Sequence, residues 1–129
     1  MRVVAGLLFN AEGQVLVALR PAHKPYGNMW EIPGGKLEDK EGYRKALCRE
    51  LYEELGIVVE PRHLRRIVSQ SLGPTEHVYA IRTWQGEPQA LASQCLAWTP
   101  VDESLLQVDA TPLTMVTFHH LLQSASESL

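Results

Sequence analysis

Between Gly35 and Ile57 the chain reads GKLEDKEGYRKALCRELYEELGI, and within it Glu50, Glu53 and Glu54 stand at positions i, i+3 and i+4. On a helix that spacing stacks the carboxylates on one face. Leu47, Leu51 and Leu55 recur four apart with Cys48 beside them, so an apolar arc borders the acidic one and predicts a helix from about Tyr43 to Leu55. Gly56 stands where a C-cap belongs. Two unit charges about 4 Å apart repel by roughly 1 kcal/mol in water and about 4 kcal/mol at an effective dielectric near 20, so a partly enclosed acid trio needs a counterion. The alternative is a solvated helix face, where like-charge pairs cost only about 0.2–0.5 kcal/mol each. That reading leaves Gly34 and Gly35 without a reason. A backbone lacking Cβ there either bends sharply or approaches a ligand.

Gly35, Glu41, Arg49, Glu50, Leu51, Glu53, Glu54, Gly56 and Ile57 fill, in order and spacing, every position of the Nudix box, and the chain resembles that family. With ordinary residue usage such a match arises by chance on the order of once in a billion start positions. The resemblance extends loosely to the MutT-type branch. Arg20 ends an apolar run, Glu31 precedes the Pro-Gly-Gly-Lys turn in EIPGGK, and WQGEP from Trp84 to Pro88 is similar to that branch's Trp-x-Gly-Glu-Pro hairpin.

The resemblance implies an α/β (α+β) fold, an α/β/α sandwich around a mixed, partly antiparallel sheet. It implies that Glu50, Glu53 and Glu54 are metal ligands or, for one of them, the base, that Arg49 holds a glutamate in place, and that Glu41 is either structural or bonded to the ion's ligands without touching the ion. The backbone at Gly34 and Gly35 joins the metal and phosphate site, and Lys36 touches phosphate. Mg2+ is the natural ion, because it takes one or two carboxylates and completes its octahedron with water and phosphate oxygens, and Mn2+ is a possible substitute. Such an ion orients a diphosphate and lowers the pKa of an attacking water, so a cleaved pyrophosphate bond is expected.

Length fits one small domain over residues 1–129, with 45% hydrophobic residues to enclose a single core. The formal charge of −3 argues against a nucleic acid polymer as partner, since no basic stripe is visible. Cys48 and Cys95 lie far apart without metal spacing and read as buried apolar side chains in a reducing cytosol. No bilayer-length apolar run or cleavage site is visible, so a cytoplasmic protein without membrane attachment, monomeric or homodimeric, is expected.

Along the chain, Arg2 to Phe9 and Val15 to Arg20 read as a hairpin around Gly13, residues 21–29 as a loop, and Trp30 to Ile32 as a short strand stopped at Pro33. Leu64 to Leu72 and His77 to Trp84 read as paired strands, followed by one at Cys95 to Trp98, with pairing mostly local. Asp102 caps a short helix through Leu106, and Thr111-Pro112 opens a C-terminal helix with a polar, fraying tail, SASESL.

Arg20 either binds a substrate phosphate or is an ordinary surface cation, and Glu31 reads as a substrate-site residue that hydrogen-bonds either to the groups around the ion or locally. Trp30, Tyr79, Trp84 and Trp98 fill core more readily than they stack a base. His23, His77, His119 and His120 lack metal spacing. Two departures from the MutT-type pattern matter. Its further loop glutamate is replaced here by Ala92, leaving Glu87, Glu76 or Asp102 as substitutes, and its purine-reading Asn is absent from Asp109-Ala110-Thr111-Pro112, where Asp109 is left to accept hydrogen bonds from a base edge. The expected activity is Mg2+-dependent hydrolysis of a nucleoside triphosphate, with a damaged purine or a pyrimidine base, to monophosphate and pyrophosphate. Two alternatives stay open: another Nudix substrate such as a nucleoside diphosphate-sugar, and a catalytically weak module that binds a nucleotide or protein.

Overall fold

The computed structural model describes residues 1–127, with side chains through Ser124. Its strands are β1 (Val3–Leu8), β2 (Val15–Leu19), β3 (Trp30–Glu31), β4 (Gly34–Lys36), β5 (Arg65–Ile67), β6 (Glu76–Ile81) and β7 (Leu96–Thr99). Its helices are α1 (Tyr43–Leu55) and α2 (Pro112–Glu127), with short 3-10 turns at Pro61–His63 and Glu103–Gln107.

The helix expected from the leucine spacing is α1 as observed. Ala46, Leu47, Leu51 and Leu55 are buried, and each leucine so placed contributes about 2 kcal/mol relative to exposure. Gly56 closes the helix at φ 72°, donating its N–H to the Tyr52 carbonyl, a left-handed conformation that glycine adopts without Cβ strain.

Strand alternation sorts the core into two layers. Val4 and Leu8 of β1, Leu16 of β2 and Tyr79 and Ile81 of β6 pack on α1. Their neighbours Ala5, Leu7, Val15, Val17 and Val78 face the other way, against Phe118 of α2 and Leu105. Helices therefore cover both sides of the strands, the layered α+β arrangement expected.

The strand pairing differs from the local scheme. β4, β1, β6 and β5 form one mixed sheet in that order, with β1 and β6 parallel, while β3, β2 and β7 form a second, antiparallel sheet. β1 and β2 meet only at the bridge between Phe9 and Val15 and then part, so they are not a hairpin. β1 is buried on both faces, and a strand in that position takes a neighbour on each edge.

Other expectations also change. Gly34 and Gly35 do not bend; they belong to β4, and neither has positive φ. The segment before Gly73 forms only the three-residue β5. WQGEP turns at Gly86, φ 98°, but docks through Gln85 on Val58 rather than pairing with β7. Cys48 is half-buried, whereas Cys95 is exposed because it precedes β7 outside either core. The polar tail continues α2 to Glu127, and residues 128–129 lie outside the described residues. Asp102 does cap its 3-10 turn, accepting from the Ser104 N–H. Among the described residues no helix is long and apolar enough to cross a membrane.

Candidate active site

β4 is an edge strand without side chains at its first two positions, and that makes it a thin wall between two compartments. On the α1 side, the Gly34 N–H donates to Glu54 Oε2 at 3.1 Å. A Cβ placed on Gly35 would lie 2.6 Å from the Glu50 carboxyl carbon, so Glu50 rests directly on the glycine backbone. On the other face, Gly34 and Gly35 line a cavity of about 390 Å³.

Arg49 organises the acidic helix face. Its Nε and Nη2 donate to the two Glu41 oxygens at 2.8 and 2.9 Å, and Nη1 donates to Glu50 at 2.9 Å and Glu53 at 3.2 Å. Nη2 also donates to the Lys36 carbonyl at 3.2 Å, tying α1 to β4. Hydrogen bonds from Arg49 hold the Glu41 carboxyl far below the usual carboxylate range. The forked guanidinium suits this task in a way an ammonium does not.

Glu54 has no such cation. Burial, then the nearby charge of Glu50, push its pKa up to about 8 from an ordinary 4.5. Burial likewise raises Glu50, although Arg49 opposes the shift. Glu53 sits on the outer side of the helix, more than half exposed and paired with Arg49. The acids thus separate into two that line β4 and one turned to solvent. Among the described residues, no group of three or more His, Cys, Asp or Glu side chains is gathered tightly enough to hold a metal ion unaided.

The donor set nonetheless fits a hard divalent cation. Glu50 and Glu54 are oxygen donors, the glycine backbone leaves space beside them, and a carboxylate driven to about 8 by desolvation lacks a counterion. With only a few protein ligands, an ion that keeps waters and takes phosphate oxygens is better served than one needing a full protein cage.

Arg20, just past β2, bonds both oxygens of Glu31 through Nη1 at 3.2 and 3.1 Å, and its Nε donates to the Pro25 carbonyl. Arg20, Glu31 and Lys36 all line the large cavity. Asp109 is not on that wall; its carbonyl accepts from the Trp30 N–H, and the cavity is bounded nearby by Thr111 to Thr114. A pocket of about 20 Å³, room for roughly one water, lies between Glu54, Glu31, Ala92 and Ser93. Of the substitutes for a loop acid, Asp102 is committed to its cap and Glu76 lies in the large cavity.

Trp84 and Trp98 stack on each other, with ring centroids 6.2 Å apart, and Tyr79 is buried. The aromatic ring on the cavity wall is Tyr26, which sequence reasoning passed over. Its loop contained a signal only in its turn formers. Tyr26 and Asn28 have φ of 59° and 63°, a conformation that non-glycine residues adopt only when their surroundings hold them there. Thr111 and Thr114 were also missed; Thr111 donates to Thr114 Oγ1, which accepts from the Ile32 N–H and fixes α2 to the cavity wall.

The sequence profile of the NUDIX domain matches residues 1–118. An 8-oxo-dGTP diphosphatase of Proteus vulgaris is 34% identical over 99 residues, covering 74% of this chain and 88% of that protein. A CTP pyrophosphohydrolase of Escherichia coli is 34% identical over 110 residues, covering 81% and 79%. Among solved structures, one described as MutT from Aliivibrio salmonicida and Vibrio cholerae aligns with a TM-score of 0.81 at 26% identity, covering 95% of this chain and 97% of that one. The E. coli ORF135 protein aligns at 0.75 and 31% identity, covering 96% and 91%.

Proposed function

This chain belongs to the Nudix family, and from that premise we propose that it is a Mg2+-dependent nucleoside triphosphate pyrophosphohydrolase, releasing a nucleoside monophosphate and pyrophosphate. Residues 1–129 form one such domain, working in the cytoplasm on a small nucleotide rather than on a nucleic acid polymer. The single observation that carries the reading is the shared wall: Gly34 and Gly35 touch Glu54 and Glu50 on one side and a nucleotide-sized cavity on the other. The names of the relatives, an 8-oxo-dGTP diphosphatase and a CTP pyrophosphohydrolase, support the triphosphate class and leave the base open.

Glu50 and Glu54, with the backbone of Gly34 and Gly35, would hold the cation, and Glu53 would join them only by leaving its ion pair with Arg49. Mn2+ has the same preference for oxygen ligands. When bound, the ion supplies charge neutralisation and an acidified water. The protein's own groups do the rest. Arg49 positions Glu50 through one donor while Glu41 anchors the guanidinium from behind. Arg20 and Lys36 put positive charge on the cavity that receives the phosphates. Without a cation Glu54 carries a proton near neutrality; with one bound it would be a carboxylate beside β4, able to accept a proton from an attacking water.

Ala92 favours a second reading, a Nudix module that binds nucleotide with little turnover, because it places no acid beside Glu54. A panel of nucleotides with Mg2+, assayed for pyrophosphate, orthophosphate and sugar phosphate, tests the reading. Pyrophosphate release from a triphosphate is expected. Binding without turnover, or release of a sugar phosphate, contradicts it.

A further inference from the structure

Across the floor of the large cavity, Lys36 of β4, Val3 of β1 and Glu76 of β6 stand in one row, since Val3 pairs with Lys36 on one edge and with Glu76 on the other. Paired residues point to the same face of a sheet, and here it is the α2 face, because Ala5 and Val78, two residues further along each strand, are buried in the α2 core. Lys36 and Glu76 are two strand spacings apart, roughly 10 Å. That distance is of the order spanned by an extended nucleoside between its phosphate and the far edge of its base. With phosphates at the β4 edge, Glu76 lies where the base edge ends.

Glu76 is also oriented. Its Oε1 accepts the Gly73 N–H at 2.8 Å, and its own N–H donates to the Gly73 carbonyl at 3.1 Å, so the side chain is held by the turn that precedes β6. Oε2 has no partner among the described residues. The same cavity is lined by the apolar Val3, Ala5, Ile32, Pro112 and Leu113, and its cations are other residues of the wall, Arg20 and Lys36. Apolar surface and one fixed acceptor are what a pocket needs to take a ring face and read one group on its edge.

We propose that Glu76 determines base specificity by accepting a hydrogen bond from an exocyclic amino group, selecting bases that carry one over isosteres with a carbonyl at the same position. This rests on the reading above that the cavity receives the nucleoside. A carbonyl facing Oε2 sets acceptor against acceptor and leaves both desolvated without a bond. A site built on one hydrogen bond rejects the mismatched analogue strongly.

The substitution Glu76→Gln separates base reading from turn structure. The amide oxygen still accepts the Gly73 N–H, and the amide NH2 then takes the place of Oε2, turning an acceptor into a donor. The experiment compares kcat/KM for the isosteric pairs CTP and UTP, and ATP and ITP, in the parent and in Glu76→Gln. Calorimetric binding of CMP and UMP and thermal unfolding of both proteins accompany it. The parent is expected to favour the amino member of each pair about tenfold or more, and Glu76→Gln to reverse that order with an unchanged Tm. Ratios within twofold in the parent, or the same ratio in the variant, overturn the proposal. If no triphosphate is hydrolysed the pyrophosphohydrolase reading fails by itself; the CMP and UMP titrations still decide base reading, and equal or absent binding of the two overturns it.

Discussion

Glu50 rests on Gly35 so closely that a Cβ on the glycine would sit 2.6 Å from both the carboxyl carbon and Oε1. Gly34 is crowded differently: its Cβ would run into the Val4 carbonyl and lie 2.6 Å from the Ala5 Cα. One glycine makes room for a flexible carboxylate, the other for the β1 backbone. Gly35→Ala is therefore expected to keep its fold, push Glu50 aside and lower kcat/KM on the order of a hundredfold, the scale at which small misplacements cost activity. Gly34→Ala must separate two paired strands and is expected to be recovered mostly unfolded. Kinetics with thermal unfolding check both, and wild-type turnover in Gly35→Ala would speak against the contact's role.

Stability of the metal-free protein should depend on pH through Glu54. Its folded pKa of about 8 lies above the ordinary 4.5, so folding favours the protonated acid. The stabilisation is complete below about 4.5 and is lost as pH rises through 8, with a ceiling of about 5 kcal/mol over that interval. Glu50 adds in the same direction. Glu41 works in the opposite sense, its contribution being present at neutral pH and lost as pH falls toward 2. Thermal unfolding in chelator from pH 5 to 8 should show Tm falling in the parent and a flatter profile in Glu54→Gln. Adding Mg2+ at pH 7 should restore stability and release close to one proton per ion, read from the buffer dependence of the binding heat.

Local signals made α1 legible to its ends, because a four-residue leucine spacing and a following glycine act within a few turns of chain. Strand partners were not legible in the same way. The apolar run of β1 was visible, but which strands flank it is decided by burial on both faces, and its neighbours β4 and β6 come from distant segments. The Arg20–Glu31 pair was hidden for a different reason: it closes across the loop of residues 21–29, whose course the turn formers alone do not set. At the site, the spacing of Glu50, Glu53 and Glu54 placed all of them on one helix face, while the structure turns Glu53 outward, because Arg49 reaches it and β4 does not. Glu76 carried no motif; only the pairing of Val3 with it brings it to the cavity floor.

Ala92 should be a point where function can be added. It borders the small pocket shared by Glu54 and Glu31. Ala92→Glu adds a carboxylate there, which without metal repels the Glu31 carboxylate and is expected to lower Tm, at a cost of about 1 kcal/mol or more at an effective dielectric near 20. With Mn2+ the same charge becomes a ligand, and affinity is expected to rise about tenfold or more. Calorimetric titration with Mn2+ alone checks this, and unchanged affinity would remove that pocket from the metal site.

The most direct measurement is Mg2+-dependent pyrophosphate release from a nucleoside triphosphate by the parent and by Glu54→Gln, with circular dichroism confirming that both are folded. Loss of kcat/KM by several hundredfold in the folded variant is predicted, because removing this carboxylate takes away both the cation's charge partner and the proton acceptor beside β4. A change of less than twofold would contradict the account.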